Sequence, residues 1–241
     1  MKLAINQPYF FPYLGYFDLI NMVDMFIVHD VPQYMRHHWV NRNRVLHPAS
    51  GWWYVVVALK KHHFTTPLDQ IEISQTEDWQ KRLFRQLEHY HVDAPYYTDV
   101  IKLLKDCFAN PEGHLVRFNT RLVRAICEQL DIKTPIHVFS EMDLPIPAVQ
   151  TITDLAIETS RAVGAIEYIN RPGGADLFDE PKFVDNRLKL TIQSFRNMTY
   201  PCGRYAFEPG LSILDVMMWN SREDIKEYLD NFRTQEPGNN A

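Results

Sequence analysis

The sequence predicts an α/β fold: a mostly parallel, Rossmann-like sheet with flanking helices and a helical insertion. Three observations predict it. Short apolar runs near residues 2–5 and 24–29 stop at polar residues, as strands buried on both faces do. Between them Phe17, Ile20 and Val23 recur at helical spacing, so the opening reads strand–loop–helix–strand. After residue 135 the same alternation of strand and helix patterns returns.

Each element follows from its residues. Gln7 to Gly15 holds two prolines and a glycine, which makes a rigid loop rather than a helix. Residues 31–51 are rich in Pro, Gly, Asn and Arg and predict a long polar loop, a length usual for functional segments. The aromatic and β-branched run from Trp52 to Leu59 predicts a strand, and Ile71–Ile73 a shorter one. Three apolar stripes follow: Trp79, Leu83, Leu87 and Tyr90; Val100, Leu103, Leu104 and Cys107; Leu115, Phe118, Leu122 and Ile126. Pro95, Pro111 and Gly113 separate them, so residues 76–131 read as a helical insertion or cap.

Strand patterns resume at Pro135–Phe139, then an amphipathic helix over Thr151–Val163 that Gly164 should cap. Residues 165–169 form the next strand and 170–176 a turn-rich loop. Leu188–Gln193 is a further strand, and Leu211–Trp219 a short helix or strand. The expected organisation is one α/β domain over residues 1–233 with a polar tail at 234–241.

Composition narrows the class. Hydrophobic residues are 46% and charged residues 23%, and 9 Gly and 15 Pro without a period exclude collagen and low-complexity disorder. No apolar stretch reaches the ~18 residues a membrane span needs. The three cysteines, Cys107, Cys127 and Cys202, have no ligand spacing and read as buried thiols in a reducing compartment. Without a signal-type apolar region at its start, the chain is expected in the cytoplasm. Net charge is −5, which disfavours nonspecific nucleic-acid binding, yet residues 1–63 carry +3. A cationic segment in an acidic protein suits an anionic small molecule such as a phosphate or nucleotide.

Ligands of parallel α/β sheets sit outside the carboxyl ends of the strands. Loops 6–15, 29–51 and 170–176 should therefore open onto one edge. In the first, Gln7 supplies a donor and an acceptor and Gly15 allows close backbone approach, while its aromatics also fit a structural plug. In the second, Arg36, Arg42 and Arg44 offer guanidinium forks for phosphate or carboxylate, and Asp30 can orient or deprotonate an amine. His37 or His38 can shuttle a proton, with His37 the choice here. Asn41 belongs to the same segment. In the third, Asn170, Arg171, Gly173, Gly174 and Asp176 form a glycine turn with added charge. It is neither a P-loop nor a GxGxxG fingerprint. No histidine pair has zinc-enzyme spacing and no GxSxG elbow occurs, so no metal is expected.

Ile5-Asn-Gln-Pro-Tyr-Phe-Phe-Pro-Tyr-Leu-Gly-Tyr-Phe, with Asp24, Asp30 and Trp39-Val-Asn-Arg-Asn-Arg, closely resembles the opening of the WbqC-like protein family. Tyr168-Ile-Asn-Arg-Pro-Gly-Gly-Ala-Asp and Phe207-Glu-Pro-Gly-Leu-Ser-Ile-Leu-Asp look like its later segments. The resemblance spans nearly the whole chain and implies a role in bacterial surface-polysaccharide (O-antigen) or secondary-metabolite biosynthesis. Acyl or aminoacyl (glycyl) transfer to an amino sugar or nucleotide-sugar is the reaction it suggests. Family-like positions are Gln7, Pro8, Tyr9, Pro12, Gly15, Tyr16, Asp30, Asn41, Arg42, Gly173, Asp176, Ser212 and Asp215, while Asn170-Arg171 and Cys202-Gly-Arg204 depart from the family pattern.

The leading expectation is thus a transferase with Asp30 and His37 catalytic. Gln7, Tyr9, Gly15, Tyr16, Arg36, Asn41, Arg42, Asn170, Arg171, Gly173 and Asp176 would bind substrate. Its cofactor-like ligand would be a nucleotide or an activated acyl or aminoacyl donor. Nucleic acid would enter only as an aminoacyl-tRNA donor, and self-association is compatible with the sequence. The alternatives are a scaffold protein of a polysaccharide assembly complex and a nucleotidyltransferase-like enzyme.

Overall fold

Successive strand residues point to opposite faces, and in this chain both directions meet apolar side chains. In the computed structural model, which describes residues 1–232, Leu3 and Ile5 of the first strand join one buried cluster and Ala4 joins another. The elements run β1 (Lys2–Asn6), α1 (Leu14–Asn21), β2 (Met25–Val28), β3 (Arg42–Leu46), β4 (Trp52–Val56), α2 (Trp79–Leu87), α3 (Tyr97–Phe108) and α4 (Leu115–Gln129). They continue with β5 (Ile136–Val138), α5 (Ile152–Val163), β6 (Glu167–Asn170), α6 (Glu180–Asp185), β7 (Lys189–Ile192), α7 (Ile213–Trp219) and α8 (Arg222–Asn231).

Five strands form a parallel sheet in the order β5-β2-β1-β6-β7. One face carries Leu3, Ile5, Ile27 and Tyr168 against Ala156 and Ile157 of α5 and Phe183 of α6. The other carries Ala4, Phe26, Val28 and Ile169. Its cluster includes Phe17 and Ile20 of α1, Leu83 of α2, Leu104 of α3 and Leu122 of α4. Double cover explains why β1 and β2 are apolar throughout instead of alternating. It also places the 79–129 helices in the main core beside α1.

Local signals act as their residues dictate. The Thr151 side chain caps α5 by accepting from Asp154 N, and Gly164 ends the helix at φ +74°, a left-handed conformation that costs glycine nothing. Leu211–Trp219, open between helix and strand, resolves to α7 with Ser212 as its cap. The polar tail expected after residue 233 lies outside the described residues.

Two segments differ from the sequence reading. Within the expected 31–51 loop, Arg42–Leu46 is a strand, paired antiparallel with β4 from Arg42↔Val56 to Leu46↔Trp52. The strand was hidden because its inward positions include the amide Asn43, buried at 4% exposure, and its outward positions are arginines. Apolar/polar alternation cannot reveal a strand whose inward residue is polar. The Trp52 strand accordingly belongs to this hairpin and not to the parallel sheet. Ile71–Ile73 makes only isolated bridges, Leu59↔Ile73 and Glu72↔His114. The helices α6 and α8 had no assignment from the sequence.

Candidate functional site

The chain walks outward from β1 to β2 to β5, then resumes on the other side of β1 with β6 and β7. The switch point therefore lies between β1 and β6, where the loops leaving the two carboxyl ends diverge. Crevices at such points are where open α/β sheets bind ligands. A pocket of about 330 Å³ opens there.

The loop after β1 is held by its main chain. Tyr16 Oη donates to Gln7 O (2.9 Å), and Asn119 Nδ2 donates to Pro8 O (2.8 Å) and Val40 O (2.7 Å). Asn43 Nδ2 donates to Phe10 O (3.0 Å) and Phe11 O (2.9 Å), and Ser212 Oγ also donates to Phe11 O (2.8 Å). Ile213 N reaches Pro12 O (2.8 Å). Carbonyls that a proline-rich loop cannot pair within itself are thus satisfied by three distant segments. Gly15 lets the loop close: a Cβ there would lie 2.4 Å from the Tyr13 ring and 2.8 Å from that of Phe195.

These ties present Tyr9 and Tyr13 to the pocket. The hairpin adds Trp39, Asn43 and Arg44, the turn after β6 adds Arg171 and Gly173, and the stretch after β7 adds Phe195 and Asn197. Four aromatic rings and two guanidiniums face one cavity, and among the described residues no acidic side chain lines it. Arg44 is fixed by Nη2 donating to Gly210 O (3.2 Å), with its guanidinium 5.4 Å from the Trp39 ring and 4.9 Å from the Trp52 ring. Arg171 Nη2 donates to the Tyr9 hydroxyl, and its guanidinium lies 4.9 Å from the Tyr9 ring. Burial raises the Tyr9 phenol pKa and Arg171 opposes that rise, so the hydroxyl stays protonated at neutral pH.

Four of the residues the sequence offers for the site, Tyr9, Arg44, Arg171 and Gly173, line this pocket. Gly15 lies directly behind it. Gln7 gives its carbonyl to Tyr16, which is fully buried. Asn170 folds back to donate to Arg171 O (3.0 Å), shaping the turn, while Asp176 is exposed on the following 3-10 turn.

The remaining positions lie elsewhere. The Asp30 carboxylate accepts from Ser140 N (3.1 Å) and Ser140 Oγ (2.5 Å), joining the ends of β2 and β5. Asn41 accepts from Tyr34 Oη (2.9 Å) and donates to Val57 O (3.2 Å). Arg42 stacks 4.1 Å from the Tyr54 ring and donates to His37 O, holding His37 at φ +63° with its side chain exposed. Arg36 is exposed. His38, the neighbour of His37, is the one that feels the site: burial lowers its pKa, and the charges of Arg171 and Arg42 lower it further.

Of the lining residues the sequence reading did not place at the site, Tyr13 and Trp39 sit inside the opening motif and Gly210 inside the closing one. Phe195 and Asn197 carry no local signal, because only the path of the chain after β7 brings them there. Among the described residues no helix is long and apolar enough to cross a membrane, and no group of three or more His, Cys, Asp or Glu side chains is placed to hold a metal ion.

A doubly covered parallel sheet with a cationic, aromatic pocket at its switch point defines the class of α/β protein to which this molecule conforms. The chain matches the WbqC-like protein family over residues 7–227, and it belongs to that family. It is 30% identical over 232 residues to the "Uncharacterized protein Rv1507c" of Mycobacterium tuberculosis (strain ATCC 25618 / H37Rv), covering 95% of this chain and 97% of that one. No solved structure matches it.

Proposed function

We propose that this WbqC-like protein is a transferase of bacterial surface-polysaccharide or secondary-metabolite biosynthesis that adds an acyl or aminoacyl group to a nucleotide-linked amino sugar. The observation that carries the reading is the pocket itself. Two fixed guanidiniums, with no carboxylate among the described lining residues, suit a phosphate-bearing ligand, and the rings of Trp39, Tyr13 and Phe195 suit a base or sugar face. A cavity of about 330 Å³ falls in the size range of small-ligand sites. In the reaction the neutral amine of the acceptor adds to the acyl carbonyl carbon and the carbon–nitrogen bond forms. The donor's thiol, alcohol or phosphate leaves with the amine's proton. The developing oxyanion needs donors, which Asn197 and the guanidiniums can supply.

The test is calorimetric titration with UDP- and dTDP-amino sugars, followed by incubation with activated acyl donors and product mass determination. Binding in the micromolar to millimolar range and a mass gain equal to one acyl group are expected. Absence of binding by every nucleotide-sugar, together with absence of product, overturns the proposal. Arg44→Ala should weaken the anionic ligand by about 1.5–3 kcal/mol, the range for a charged hydrogen bond.

A further inference from the structure

Tyr9 is 2% exposed, lines the switch-point pocket and has an unusual hydrogen-bond balance. A phenol has one proton to give and lone pairs to receive. Its oxygen receives from Arg171 Nη2, and among the described residues no acceptor takes its proton. A buried hydroxyl with an unspent donor, beside a guanidinium, is built to meet an oxygen that arrives from outside.

We infer that Tyr9 is a specificity-determining residue that gives this proton to a negatively charged phosphoryl oxygen of the ligand, with Arg171 adding its charge to the same group. The inference rests on the nucleotide-sugar reading of the pocket and names which end of the ligand sits at the strand termini. An O–H and an N–H presented side by side accept an anion and repel an ammonium group, so the acceptor's amine must lie elsewhere in the cavity. Retention of the phenol proton follows from burial, which Arg171 only partly offsets. The donor is also pre-positioned. Asn119 holds Pro8 O, and Phe10 N donates to Trp39 O (2.9 Å), so the backbone on both sides of Tyr9 is fixed before ligand arrives.

The test uses the full chain, UDP and uridine. In calorimetry Tyr9→Phe should weaken UDP about 10–150-fold, the loss expected for one hydrogen bond to a charged group. In a second measurement the otherwise unaltered chain carries 3-fluorotyrosine. The fluorine resonance of position 9 is assigned by its absence from Tyr9→Phe. It should move on saturation with UDP and stay in place with uridine, a readout taken on the parent side chain. Should Tyr9→Phe bind UDP as the parent does, with the resonance unmoved while Arg44→Ala loses affinity, Tyr9 is not the donor and the pocket reading survives. A shift with uridine equal to that with UDP overturns the phosphoryl assignment. If the parent chain binds neither UDP nor any UDP- or dTDP-amino sugar and forms no product, the pocket reading falls and this inference with it.

Discussion

Asn119 and Asn43 illustrate how single buried amides shape the site. Asn119 is fully buried and bonds two carbonyls, one on the first loop and one beside Trp39. Asn119→Leu keeps the volume but orphans both carbonyls, so it should destabilise the fold by about 2–4 kcal/mol. Urea unfolding checks this, and a loss below about 1 kcal/mol would mean that the loop is held by its other ties. Two ionisable residues, the buried Asp215 and the half-buried His29, give opposite pH signatures. Asp215 accepts from Tyr90 Oη (2.5 Å) and Tyr200 Oη (2.7 Å), and burial raises its pKa to about 6. The folded state therefore holds its proton more tightly than the unfolded chain, and its contribution to stability, complete below about pH 4, is lost as pH rises through 6. Burial lowers the His29 pKa to about 4, so its contribution is complete above about pH 6.5 and is lost as pH falls through 4. The two slopes oppose each other between pH 4 and 6. Melting temperatures across that window should fall more steeply on acidification in Asp215→Asn than in the parent, and less steeply in His29→Asn. Parallel curves for the three proteins would contradict both assignments.

Elements meet at Ser212. Its hydroxyl donates to Phe11 O and accepts from Leu214 N (3.2 Å) as the cap of α7, and its amide donates to Arg44 O (2.8 Å). One residue thereby joins the first loop, the hairpin and the start of a helix. Ser212→Ala should cost about 1–2 kcal/mol from the lost cap and loop bond. Because both Phe11 and Arg44 move with it, the variant should also bind UDP more weakly than its stability loss alone explains, when compared at a temperature where it is fully folded. Unchanged affinity would separate the cap from the site. The β3–β4 hairpin shows a second element-level device. Its outward residues alternate Arg42 and Arg44 on one strand with Trp52 and Tyr54 on the other, so cation–ring contacts replace an apolar face. The Arg42–Leu46 half of this alternation read in the letters only as a polar loop, whereas the Trp52 run read as a strand and the apolar stripes of the α2–α5 helices were legible at once.

At the scale of the whole molecule, α2–α4 contribute Trp79, Leu83, Val100, Leu104 and Leu122 to the same buried cluster as α1 and the sheet. Excision of residues 76–131 should therefore abolish cooperative unfolding instead of uncapping an intact domain, as circular dichroism during heating will show. A sharp transition in the shortened chain would establish a separable cap. Short-range pattern by itself determined the class of fold, the helical middle, the family and the identity of the strand ends that carry loops, because apolar periodicity, proline and glycine act within a few residues. Tertiary structure alone decided that Arg44 and Arg171, and not Arg42 or Asp30, share a cavity, and that Phe195 and Asn197 join them. Those placements depend on which side of β1 the chain resumes after β5, and on buried amides and hydroxyls bonding carbonyls up to 201 positions away. Such bonds stabilise only once the chain is closed, so no local stretch of letters records them.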